Sequence, residues 1–212
     1  MKCILCNSRK AKRYCPAKGG SICPVCCGEK RGVEIDCPLD CPYFIEGQNY
    51  QQEKVSKQRI RKEGIGSFIR RADLYNKNPE FFKKLELAFV ELFRTNKRLR
   101  NDDLSEALGL VIKTLDTEKR GILFDYRSDN PIANDLADKI VKVVREEKDS
   151  VQITYTRISL DYARNVLQEF LNEVEFFMKN DVNPQGYLIH ILRYHPEVTE
   201  ARKDRGRLII SP

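Results

Sequence analysis

MKCILCNSRKAKRYCPAKGGSICPVCCGEKRGVEIDCPLDCPYFI, residues 1–45, contains all eight cysteines of this 212-residue chain. They follow the order Cys3-x2-Cys6-x8-Cys15-x7-Cys23-x2-Cys26-Cys27-x9-Cys37-x3-Cys41. Two C-x2-C pairs and one C-x3-C pair in so short a window point to metal binding, because a tight C-x2-C turn aims two thiolates at one ion. A disulfide framework would call for an export signal. Met1-Lys2-Cys3 leads into no apolar run, so a reducing, cytoplasmic setting is expected. Zinc is the default ion, as it accepts four thiolates tetrahedrally. Eight thiolates suffice for two zincs. Alternating pairing puts Cys3, Cys6, Cys23 and Cys26 on one, and Cys15, Cys27, Cys37 and Cys41 on the other. One zinc with spare thiols, an iron–sulfur cluster and redox use remain alternatives, and either of Cys26 and Cys27 can complete the first site.

Four protein ligands leave an ion no open position for water, so such sites staple rather than catalyse. This segment needs a staple. Its few apolar side chains, among them Ile4, Leu5, Val25, Ile35 and Phe44, are too sparse for an independent core.

The order C-x2-C-x8-C-x7-C-x2-C, with Tyr14-Cys15-Pro16 inside it, resembles the cross-braced zinc fingers of the B-box and HIT families. The resemblance implies two interleaved zinc sites that present a surface for protein contacts, generally without catalysis. It covers about the first 45 residues. It departs from those families in having Lys18 three residues after Cys15, and Cys37 and Cys41 where terminal histidines stand. The whole chain has the look of a bacterial zinc-finger protein.

The formal net charge is +7. Two ions on eight thiolates change it by about −4, which weakens any inference from overall basicity. The real excess lies in residues 51–100, with fourteen Lys and Arg against six Asp and Glu. Lys54, Lys57 and Arg61 fall on one helical face, and Arg70 and Arg71 follow. A basic helix over 54–71 can track DNA or RNA phosphates, or can simply be a solvated face. Gly64-Ile65-Gly66-Ser67 lacks the phosphate-loop order and reads as a hinge.

The remainder reads as helices. Apolar residues recur at helical spacing from Phe81 to Phe93, from Leu104 through Leu115 to Ile122, from Ile132 to Val144, and from Leu160 to Met178, with a short last helix through Leu188 and Leu192. Asn-Pro precedes three of these segments, at 78, 130 and 183, as cap and first-turn chemistry. Val151–Arg157 alternates like a strand or an extended connector. The expected fold is therefore a small Cys-rich zinc-binding module (residues 1–45), a basic helical connector (46–76), an all-α helical bundle domain (77–196) and a tail (197–212).

His190 and His195, the only histidines, are five apart and lack the spacing of a hydrolytic metal pair. No G-x-S-x-G elbow and no Walker loop occurs. The expected function is that of a non-enzymatic adaptor or regulator with a protein partner. Nucleic-acid binding through Lys54, Lys57, Arg61, Arg70 and Arg71 is the alternative, and a thiol-redox or enzymatic role the second alternative.

Overall fold

The computed structural model describes residues 1–96, 98–149, 158–195 and 198. It consists of a small Cys-rich module followed by a helical domain. The module opens with an antiparallel hairpin, β1 (Arg13–Cys15) and β2 (Gly20–Ile22), joined by a 3-10 turn at Pro16–Lys18. Arg13 pairs with Ile22, Tyr14 with Ser21 and Cys15 with Gly20. The hairpin was not expected, since three-residue strands are too short to carry a legible alternation. Helix α1 (Pro24–Lys30) follows, with Pro24 in its first turn. There the ring costs no hydrogen bond.

Helix α2 (Pro42–Glu63) begins directly after Cys41 and runs unbroken past residue 45. It stops at Gly64, whose φ of 72° suits glycine, and α3 (Ile65–Lys77) starts there. The basic stretch 54–71 is thus two helices, broken at the hinge that Gly64 was expected to form. Lys54, Lys57 and Arg61 belong to α2, while Arg70 and Arg71 belong to α3.

The body comprises α4 (Pro79–Thr95), α5 (Asn101–Glu118), α6 (Pro131–Asp149), α7 (Leu160–Asn180) and α8 (Gly186–Leu192). Side chains cap the starts of three of them. Asn78 Oδ1 accepts from Phe81 N at 3.0 Å, Asn130 Oδ1 from Ile132 N at 3.1 Å, and Ser159 Oγ from Tyr162 N at 3.1 Å. The third Asn-Pro differs. Asn183 Oδ1 accepts from Gln185 N at 2.9 Å, but α8 begins only at Gly186, so Pro184 lies ahead of the helix. Ile122, read from periodicity as part of the α5 stripe, is exposed beyond that helix, which ends at Glu118 before a turn at Gly121. The strand or extended connector expected at Val151–Arg157 lies outside the described residues, as does the tail apart from Val198.

The body core is aromatic. Phe170 of α7 meets Phe82 at 5.4 Å and Phe89 at 5.3 Å between ring centroids, the latter edge-on. Phe81, Phe82, Leu85 and Phe89 line up on the buried face of α4. Each such side chain contributes about 1.5–3 kcal/mol by leaving water. A separate cluster fills the module, built from Cys3, Cys15, Cys23, Cys26 and Cys27 with Ile22 and Ile35. The two clusters meet where Phe44 of α2 joins the body core and Cys37, Leu39 and Cys41 pack against it. Gly32, at φ 69°, makes that approach possible, because a Cβ there would stand 2.9 Å from the Phe44 ring.

Candidate metal centre

Two turns bring four sulfurs together. In the first, Asn7 adopts a φ of 52°, a conformation that asparagine tolerates. Asn7 N donates to Cys3 O at 2.8 Å and Cys3 N to Arg9 O at 2.9 Å, which closes the Cys3–Cys6 turn. Ile4 N donates to Ser21 O at 3.2 Å, tying that turn to β2. The second turn is the start of α1, where Cys23 occupies the capping position and its Sγ accepts from Cys26 N at 3.3 Å. The ligand atoms of Cys3, Cys6, Cys23 and Cys26 consequently all lie within 4.8 Å of one another. Tetrahedral zinc–sulfur bonds of about 2.3 Å place neighbouring sulfurs about 3.8 Å apart. The tetrad fits one thiophilic metal ion after a small contraction. This is the first of the two alternating sets, with Cys26 rather than Cys27 completing it.

The electrostatics favour a cation. Hydrogen bonds from the Ser8 hydroxyl, and then from the Arg9 and Ser8 amides, hold the Cys6 thiol down to about 5. Burial opposes ionisation of Cys3, but the amides of Cys23, Cys6 and Leu5 outweigh it and its pKa is lowered. Cys26 is pushed up to about 12, first by burial and then by its sulfur neighbours Cys23, Cys6 and Cys3. A metal ion removes that mutual repulsion and displaces the proton. Arg9 is held firmly protonated by a hydrogen bond to Cys23 and by the charges of Cys6 and Cys26. Ser8 and Arg9 are site residues that the spacing of cysteines did not reveal. Their position just after Cys6 was the available signal.

The other four cysteines form a looser set. Cys15 and Cys27 are buried and Cys37 and Cys41 half-buried. Burial pushes the Cys37 thiol up, the Gly32 amide opposes this, and the charges of Cys41, Cys15 and Cys27 add to the rise. All three thus lie within electrostatic reach of Cys37. Among the described residues, only the first tetrad has its ligand atoms gathered within 4.8 Å. No cysteine is in a disulfide among those residues.

The basic residues do not share one environment. Lys54, Lys57, Arg61 and Arg70 are exposed, and Lys57 pairs with Glu53 on its own helix. Arg71 turns inward, with Nη1 2.7 Å from Glu173 Oε2, and its guanidinium lies over the rings of Phe82 and Phe170. His195 is buried beside Glu86, its Nε2 2.9 Å from Oε2, and His190 sits among Phe177, Tyr187 and Tyr194. Among the described residues no helix is long and apolar enough to cross a membrane.

Comparison with family models, curated proteins and solved structures returns no match. The site is therefore read from its own donor set: four buried or half-buried thiols, no neighbouring carboxylate and no histidine in the group.

Proposed function

We propose that the chain is a non-enzymatic adaptor or regulator whose amino-terminal module is shaped by zinc and docks a protein partner. The observation that carries this reading is the tetrad Cys3, Cys6, Cys23 and Cys26. A site built wholly of thiolates saturates zinc and leaves no position for substrate, so its value is the surface that it holds in place. That surface includes exposed Ile4, Tyr14, Val25 and Val33, apolar side chains open to a partner. A second zinc on Cys15, Cys27, Cys37 and Cys41 completes the cross-braced arrangement that the B-box and HIT resemblance implies. The charge coupling of Cys37 to the other three supports it.

Two measurements test the reading. Native mass spectrometry should give two zinc ions per chain, and a protein without metal, or with its thiols joined in disulfides, overturns the stapled module. Affinity capture with the full chain should retain a partner that the Tyr14→Ala, Val33→Ser double variant loses at unchanged zinc content. Equal capture by both overturns the docking surface.

Nucleic-acid binding is the second reading. It is supported by Lys54, Arg61 and Arg70, which are exposed and have no ion pair among the described residues. Binding to labelled DNA or RNA should then weaken steeply with salt, and Lys54→Ala with Arg70→Ala should flatten that slope by roughly one unit per lost contact. A salt-independent signal excludes this reading.

A further inference from the structure

A cavity of about 850 Å³ opens between α2, α3, α4, α7 and α8, away from the cysteines. Its size is that of a small-molecule site, and apolar walls with a few convergent polar groups are the usual form of one. Three observations point to what it takes.

The first is an under-used guanidinium. Arg71 Nη1 is shut off from solvent and ion-paired with Glu173 Oε2 at 2.7 Å, whereas Arg71 Nη2 is only loosely paired, 3.6 Å from Glu86 Oε1. Glu173 is already divided, since its Oε1 accepts from Arg59 and its Oε2 accepts from the Tyr187 hydroxyl at 2.9 Å. Arg59 is further held by Glu63 and Glu169. Arg71 Nη2 therefore keeps hydrogen-bonding capacity at the cavity wall.

The second is His190. Its Nδ1 is buried without a partner, and its ring centroid stands 5.3 Å from those of both Phe177 and Tyr194. Burial, aided by the positive charges of Arg193 and Arg71 and opposed by Glu173, holds its pKa down to about 4, so the imidazole is neutral and Nδ1 can accept or donate.

The third is the mouth. Ile60, Phe68, Tyr75 and Tyr194 border the cavity and are 54%, 65%, 47% and 68% exposed. Lys83 stands beside them, exposed and without an ion pair among the described residues. Exposed apolar side chains clustered at a cavity mark a surface that something covers.

We propose that this cavity binds a small organic acid with a flat aromatic body, its carboxylate meeting Arg71 and Lys83 and a polar ring substituent meeting His190. The planar guanidinium fork matches a carboxylate. A phosphate monoester, with nearly two negative charges to the carboxylate's one, would meet about twice the repulsion from Glu86 and Glu173 in the same walls. A metal ion is disfavoured, because among the described residues the ligand atoms of His190, His195, Glu86 and Glu173 do not gather into a group. The site stands apart from the cysteines, so it succeeds or fails independently of the zinc reading.

Calorimetric titration of the full-length, metal-loaded protein with 1-naphthoate, and with 1-naphthylmethanol as an uncharged body of the same shape, tests the proposal. One naphthoate per chain is expected, bound roughly tenfold or more tightly than the alcohol. Lys83→Gln, at an exposed position, should weaken naphthoate at least threefold while leaving the alcohol unchanged. His190→Phe should weaken naphthoate about as much while keeping the aromatic wall, and circular dichroism confirms that both variants are folded. Absence of saturable binding, equal affinity for acid and alcohol, or unchanged naphthoate binding in either variant overturns the proposal.

Discussion

The module and the body solve the same problem with different chemistry. The body buries rings, and Phe81, Phe82, Phe89 and Phe170 supply dispersion and hydrophobic free energy without outside help. The module's interior is mostly sulfur, with Ile22 and Ile35 its only fully aliphatic buried members. A buried thiol is a modest hydrophobe, whereas a thiolate shared with a cation is a strong and directional link. On the zinc reading proposed above, one region is therefore stable by area and the other by coordination. The difference predicts that each can be dissolved while the other stands.

The largest effect should come from breaking coordination. Chelation, or Cys23→Ser, removes a metal worth on the order of 10 kcal/mol to a small zinc-dependent fold. Residues 1–41 should become protease-sensitive while most far-UV helical signal is retained. Loss of both together would mean that the body depends on the module. The converse substitution, Phe170→Ala, should cost about 3–5 kcal/mol. It should lower the denaturant midpoint of the helical transition and leave zinc content unchanged.

A smaller effect concerns pH. His190 is held neutral in the fold with a pKa near 4, against about 6.5 when unfolded. Below pH 6.5 the unfolded chain takes up a proton that the folded chain refuses. Its contribution is therefore neutral above that value and becomes increasingly unfavourable as pH falls to about 4, reaching on the order of 3 kcal/mol. Chemical denaturation of the His190→Phe variant should show a shallower loss of stability across this window than the parent chain. The smallest effect should follow Arg9→Gln, which leaves all four ligands but removes the positive charge bonded to Cys23. About tenfold weaker zinc retention against a competing chelator is expected, with no change in the helical transition.

What could be read in advance follows the same division. Coordination leaves a sharp trace, since ligand type and spacing are discrete, and the Cys3, Cys6, Cys23 and Cys26 set was open to reading from its two C-x2-C pairs. The supporting bonds were not. Ser8 and Arg9 act through a turn whose shape depends on Asn7 adopting a positive φ. In the body, apolar periodicity located α4 to α8, but Ile122 continued the pattern after the chain had turned at Gly121. Charge was the least legible property. Arg70 and Arg71 are neighbours in one basic run, yet a step of about 100° around α3 sends one to solvent and the other to Glu173. The cavity was hidden for a related reason, since its walls join two blocks, α2 to α4 and α7 to α8, that lie far apart in sequence.

Helix α2 joins the two regimes. Its 22 residues form a rod roughly 33 Å long. The rod is rooted at Cys41, and Arg59 and Ile60 near its far end form part of the cavity wall. Phe44 and Val55 pin it to the body core along the way, so one continuous helix spans the end of the cysteine segment and the wall of the cavity.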